Sequence, residues 1–309
     1  VSGTVVAIEP RPHVSGRQIL SIVIDNDFQD ESVPCSAITT PLAQLDQDEI
    51  LHAIREAGIV GMGGAAFPGN VKAISAMGHI EYLIANACEC EPYITADDSL
   101  LRTEPEHVLQ GMQILHHVLH PQRTVLAVED NKKEAIQKLN DAFAGMDWVE
   151  IFILPAIYPQ GAKQVLLYNV TGQVVKGGQR MASMGVIIIN VSSTAKMAQY
   201  METGMPLVTK RLTVDGDIVK EPKNVEVVIG TPVEELLEFC GGLTEEPGKV
   251  LYGGPMMGNC LADLSQPILK NNNAILAFSK KMATLPKPTN CIHCGRCTNA
   301  CPLGLSAKE

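Results

Sequence analysis

Apolar and polar positions alternate with a period of two in the first stretch of the chain, GTVVAIEP and GRQILSIVIDND, with Gly and Pro at the breaks. Residues 1 to about 34 are therefore expected to form a small β-rich module, with the N-terminal domain ending near residue 44. From Asp46 the period lengthens to that of a helix. Ile50, Leu51, Ile54 and Ala57 share one face over 48–57, and Gly58 ends the run. Val108, Met112, Leu115 and Leu119 repeat in the same way over 105–119, opened by Pro105. Between such helices lie unbroken apolar runs, YLIANA at 82–87, RTVLAV, WVEIFIL and GVIIINV, as expected of strands covered on both faces. Helices over 131–143 and 194–202 complete an α/β unit spanning 45–204.

After Met205 alternation returns in KRLTVDGDIV and VEVVIG, a hairpin pattern with Asp215-Gly216 as its turn signal. Thr231 and Glu234 have the spacing of a capping box, and Gly241-Gly242 end the helix it opens. One hairpin with one helix across it suits a β-grasp domain over 205–285, followed by a short segment over 286–309.

Composition narrows the function class. A chain of 309 residues has room for about two domains of ordinary size, and 46% hydrophobic residues make it globular. A net charge of −10 argues against a nucleic-acid partner, and no run reaches transmembrane length, so no direct membrane span is expected. The chain opens inside a strand pattern and reads as a fragment, which leaves targeting illegible. Nine unevenly spread cysteines suggest no secreted disulfide framework and favour a reducing, cytoplasmic compartment.

The candidate chemistry is concentrated between Gly58 and Pro92. Five glycines, among them Gly61, Gly63 and Gly64, followed by Ala65 and Phe67, leave a backbone that a ligand can approach closely, as in an anion-binding nest. Pro68 reads as the first residue of a helix whose N-terminus favours phosphate, with Lys72 as a cation one turn on. The strand at 82–87 delivers Asn86, Glu89 and Glu91 near its carboxyl end, where α/β sheets place ligands. Gly61-x-Gly63-x-x-Ala66 fits the loose dinucleotide fingerprint but follows a helical pattern, so an ordinary Rossmann NAD site is rejected. Tyr158 and Gly161 in YPQG, and Asn190 at the end of IIIN, are further candidates; alone, each reads as an ordinary strand–helix turn.

Cys291, Cys294, Cys297 and Cys301, followed by Pro302, have the spacing of a ferredoxin-type [4Fe–4S] segment. Zinc is the competing reading, but zinc sites usually pair two separated units, whereas this run is continuous. Cys301 is expected to ligate a second cluster, for which a second run is missing. Cys88 and Cys90 are expected to share a strand face and offer a redox-active pair, with a buried structural Cys88 as the alternative. His116-His117 are expected on a solvated helix face.

Taken in order, GIVGMGGAAFPGNVK, NACECEPYITADD, YPQGAKQ, IIINVSSTA, GTPVEELLEFCGG and the cysteine run resemble the C subunit of the Rnf electron-transport complex and, more distantly, the flavin-binding subunit of respiratory complex I. The resemblance implies a complex-I flavin-subunit-like α/β core, an N-terminal β module, an SLBB domain of β-grasp type and the start of a ferredoxin-type segment. It implies FMN on the glycine-rich loop, NADH stacked over it and a [4Fe–4S] relay, with Asn86 and Glu89 on the flavin side and Glu91 orienting the nicotinamide ribose or amide. Tyr158, Gly161 and Asn190 close over the flavin by the same resemblance, and Phe67 stacks near the nucleotide or lies in the core. Partners would be other subunits of a membrane complex, placing the chain on the inner face of the cell membrane. The alternatives are a soluble NADH-dependent donor to D-proline reductase and a non-enzymatic scaffold. Relatives commonly carry an acid where Ala162 leads directly to Lys163, and lack the extra serine found before Thr194.

Overall fold

The computed structural model describes residues 2–75, 77–301 and 304–307. The chain opens with an antiparallel ribbon, β1 (Gly3–Pro12) and β2 (Gln18–Asn26), whose register carries a bulge between Val5 and Ala7. Most of its apolar residues stay open to solvent among the described residues, with Ile8, Leu20 and Ile22 all more than 60% exposed, so the expected β module is a two-stranded ribbon.

The α/β unit follows as α1 (Gln47–Glu56), α2 (Gly69–Ile74), β3 (Tyr82–Ala87), α3 (Ala96–Thr103), α4 (Pro105–Leu119), β4 (Arg123–Glu129), α5 (Lys133–Ala142), β5 (Val149–Leu154), α6 (Lys163–Thr171), β6 (Val186–Asn190) and α7 (Val191–Thr203). Asp46 caps α1 in a full capping box with Glu49. The four strands pair in parallel in the order β5-β4-β3-β6. Leu83 and Ile187 face α1, α4 and α7, while Ile84, Val125 and Ile188 face Leu166 and Leu167 of α6. Both sheet faces are thus covered, as the apolar runs require. The exception is β5: as an edge strand it leaves Ile153 half-exposed. His116 and His117 are half-buried instead of solvated, because the end of α4 leans on β4. The His116 ring bonds the Thr124 hydroxyl at 2.8 Å and packs at a tilt against Trp148, and His117 meets the Leu45 carbonyl at 3.3 Å.

The next unit comprises β7 (Thr209–Asp215), β8 (Lys223–Val228), α8 (Val233–Phe239), β9 (Lys249–Tyr252), β10 (Asn259–Cys260) and β11 (Ala274–Phe278), in the sheet order β10-β9-β11-β7-β8 with β11 parallel to β7. Val233, Leu236 and Leu237 of α8 pack on Leu212, Val225 and Ile275, the layering of a β-grasp fold. The expected hairpin forms from β7 and β8, its turn opening at Gly216 directly after Asp215 and packed so closely on β11 that a Cβ there would lie 1.9 Å from the Ala277 carbonyl. One local expectation fails here. Thr231 forms no capping box, because the Val233 and Glu234 amides donate to the Gln266 and Leu264 carbonyls of a passing segment. Two short helices, α9 (Lys280–Ala283) and α10 (Arg296–Ala300), end the described chain.

Candidate functional site

Strands β4 and β6 flank β3, and the chain reverses direction across the sheet there. Asn86 and Asn190 stand opposite one another in register at the carboxyl ends of β3 and β6. This is the crevice in which open α/β sheets bind ligands. A cavity of about 560 Å³ opens there, within the range of cofactor sites. The structure brings every expected cofactor-binding residue to its wall: Gly61, Gly63, Gly64, Ala65, Phe67, Lys72, Asn86, Glu89, Glu91, Tyr158, Gly161 and Asn190. Phe67 is 48% exposed, so the core alternative for it is excluded.

The glycine loop is held more tightly than a bare nest. Its Gly61 and Ala66 amides donate to the Phe67 and Gly61 carbonyls, and the Met62 amide donates to Ser193 Oγ at 3.1 Å. At the expected helix-terminus phosphate site one amide is already engaged. α2 begins at Gly69, one residue later than expected, runs for six residues, and its Gly69 amide is taken by the Ile59 carbonyl at 2.8 Å. The expected cation is there as well. Lys72 reaches back to donate to the Ile188 carbonyl, and burial, aided by the charge of Lys163, pushes its pKa down to about 8. A half-buried ammonium facing an open cavity is a site in want of an anion.

The remaining polar groups are fixed by one another. Asn86 donates to the Gly161 carbonyl at 3.0 Å, and Asn190 caps α7 through the Ser192 amide while donating to Asp97 at 2.6 Å. Asp97 also accepts from Ser192 Oγ at 2.5 Å. Glu89 turns away to the start of α3, accepting from the Asp97 and Asp98 amides at 2.8 and 3.1 Å. Glu91 accepts from the Met256 amide at 3.1 Å, and its other oxygen, Oε1, is buried with no partner. Gly161 must be glycine, since a Cβ would stand 2.5 Å from the Cys88 carbonyl.

Cys88 and Cys90 both border the cavity, but β3 ends at Ala87, so strand alternation does not extend to them. Cys88 donates to the Ala127 carbonyl at 3.6 Å, and burial pushes both thiols up, away from reactive thiolate. Cys291, Cys294 and Cys297 are exposed and Cys301 half-buried. Among the described residues no group of three or more Cys, His, Asp or Glu side chains is placed to hold a metal ion, so the run is not gathered into a cluster site.

The β-grasp unit supplies the far wall, through Gly253, Gly254 and Asn271 among others, and Asn271 donates to the Gly64 carbonyl at 2.8 Å. Neither this wall nor Asp97 is singled out by sequence. The first-turn position of Asp97 reads as ordinary helix-dipole placement, and contact between distant units leaves no local signal.

Comparison with known proteins follows the same division. Residues 54–199 match the Nuo51 FMN-binding domain family, and residues 211–259 match the SLBB domain. Over 306 residues the chain is 40% identical to the C subunit of the Na(+)-translocating ferredoxin:NAD(+) oxidoreductase complex of Acetobacterium woodii, covering 99% of this chain and 69% of that protein. The chain belongs to the family of Rnf complex C subunits. It is likewise 40% identical to the C subunit of the proton-translocating ferredoxin:NAD(+) oxidoreductase complex of Clostridium ljungdahlii, covering 67% of that protein. It is 39% identical to the C subunit of the ion-translocating oxidoreductase complex of Serratia proteamaculans, of which it spans 44%. An NAD+-reducing [NiFe]-hydrogenase in its H2-reduced state matches with a TM-score of 0.64 at 21% identity, over 81% of this chain and 50% of that one, a likeness of fold. Like other Rnf C subunits, this chain is an electron-transfer oxidoreductase subunit with a flavin-binding domain. None of its described helices is long and apolar enough to cross a membrane.

Proposed function

We propose that this Rnf C subunit binds FMN in the cavity at the ends of β3 and β6, takes electrons from NADH there, and hands them on within a membrane-bound complex. The observation that carries the reading is Lys72, half-buried beside an open, glycine-lined cavity with its pKa pushed down to about 8. A phosphate beside it would restore the charge that burial disfavours. When bound, the flavin accepts electrons as a hydride and releases them singly.

The chain's own residues position and shield. Lys72, with Lys163 nearby, holds the phosphate end. Asn86 and Asn190, already oriented by Gly161 and Asp97, face the ring system with their conformations fixed before binding. Glu91 Oε1, buried and unpartnered, is the acceptor for a nucleotide hydroxyl or amide. Phe67 and Tyr158 cover the apolar part and exclude water. The cysteine spacing supports iron–sulfur ligation, but the arrangement of Cys291, Cys294, Cys297 and Cys301 does not form such a site, so no electron step is placed on them. Partner subunits on the inner face of the cell membrane receive the electrons in this reading.

Titration of the purified protein with FMN, followed by anaerobic NADH, tests it. Stoichiometric flavin uptake and bleaching of the flavin absorbance by NADH are expected. Uptake without bleaching removes NADH as the donor, and no uptake removes the flavin site. Recovery of the protein with membranes separates the complex from the soluble D-proline reductase donor.

A further inference from the structure

Behind the cavity lies a second, smaller one of about 270 Å³, and Glu89 lines both. Glu129, the last residue of β4, lines the second cavity, is 1% exposed, and keeps its Oε2 buried without any hydrogen-bond partner. Capping or packing does not account for that oxygen, because a buried carboxylate with an orphaned acceptor weakens the fold. Burial pushes the Glu129 pKa up against the pull of Lys132 and the Glu89 amide. Glu89, whose side chain is 6% exposed, faces Lys132 at 3.7 Å, yet burial and the charge of Asp97 push its pKa up to about 8. Asp97, whose amide bonds Glu89, is itself held by Asn190 and Ser192. The other groups facing the two acids are Asp130, the buried ammonium of Lys210, and the Cys88 and Cys90 thiols. Glu89 thus borders both cavities, and Glu129 and Lys132 line the second one with it.

We propose that Glu89 and Glu129 form a proton relay between the cofactor cavity and solvent, passing through the second cavity. The inference rests on the flavin reading above. NADH, FMN and one proton give NAD+ and fully reduced flavin, so one proton per hydride enters from solvent, and re-oxidation by one-electron acceptors returns the protons. Glu89 gives or takes the proton on the cavity side, Glu129 exchanges with Glu89, and solvent in the second cavity exchanges with Glu129.

The test uses flavin-loaded protein, reduced photochemically so that NADH is not needed, and mixed anaerobically with ferricyanide, which takes electrons and no protons. An indicator dye in weak buffer reads proton release while absorbance reads flavin re-oxidation. In wild type the two signals should run together. In Glu129→Gln the dye should lag by about tenfold or more, imidazole should abolish the lag, and Glu129→Asp should recover part of the rate. Infrared spectra of the flavin-free protein at about pH 7 should show a protonated carboxyl band that Glu129→Gln and Glu89→Gln each diminish. Signals that stay together in Glu129→Gln, a lag that imidazole leaves untouched, or no such band in wild type overturns the relay. Flavin that binds and is reduced by light but not by NADH sinks the NADH reading and leaves the relay standing; no flavin binding sinks both.

Discussion

At the scale of single residues, burial and charge meet most sharply at Lys72. Its pKa falls from 10.5 to about 8 on folding, so between those values the unfolded chain binds more protons than the folded one. Stability therefore rises with pH through that window, and below about pH 8 the full cost of the buried charge is present. Lys72→Met is expected to stabilise the flavin-free protein by up to roughly 3 kcal/mol at neutral pH, with the gain shrinking toward alkaline pH, while flavin binding is lost. Denaturant unfolding across pH, with flavin titration of the same samples, checks both halves; a variant that is destabilised at neutral pH contradicts the argument. The glycines sort by what a Cβ would touch. At Gly63 it would meet Asn190 at 3.5 Å, an ordinary contact, whereas at Gly161 it would meet a main-chain carbonyl at 2.5 Å. Gly63→Val should fold with a melting temperature near that of wild type yet lose flavin. Gly161→Ala should lose about 1–3 kcal/mol of stability. Equal melting temperatures for the two variants would undo this distinction.

At the scale of elements, α4 and α7 approach so closely that a Cβ on Gly111 would stand 1.9 Å from the Thr194 carbonyl. Gly111→Ala must push the helices apart, and we expect a loss of about 1–3 kcal/mol, a fall of several degrees in Tm. Because Asn190, Ser192 and Ser193 at the start of α7 hold Asp97 and the glycine loop, flavin affinity should fall with it. Thermal unfolding and flavin titration on one preparation read both; lost stability with intact flavin affinity would uncouple α7 from the loop. Elements of this kind were legible in the chain wherever pattern and punctuation agreed. The strand at 82–87 and the helix at 105–119 appear with the expected bounds, since an apolar run and a Pro–His-bounded amphipathic face leave little choice. What failed were signals that a distant segment overrode. Thr231 lost its capping role to carbonyls of residues 264 and 266, and the first amide of α2 is taken by Ile59. The candidate site was legible as a set of residues. Which of their atoms remain open was not, because Glu89 and Asn86 are turned by partners that no local pattern announces.

At the scale of the whole molecule, the β-grasp unit is built into the site. Lys270 donates to the Gly58 carbonyl at 2.6 Å and Lys210 to the Met62 carbonyl at 3.3 Å, each from the β-grasp side to the base of the glycine loop. Arg211 pairs with Glu104, and Lys196 with Glu226 at 2.6 Å, along the same seam. At its centre Glu91 sits against Gly254, where a Cβ would come within 2.2 Å of the carboxylate. That neighbour is the end of a flexible side chain, so Gly254→Ala should displace Glu91 from the Met256 amide and leave the fold intact. Glu91 Oε1 would then no longer be held ready for a nucleotide donor. We expect nucleotide affinity to weaken by about tenfold, the scale of one lost hydrogen bond to a charged group, with flavin content unchanged. Titration of NAD+ against the flavin absorbance of the loaded variant checks this. Unchanged affinity would mean that the β-grasp wall encloses the cavity without setting the position of Glu91, and a parallel loss of flavin would mean that the seam supports the glycine loop more than the nucleotide.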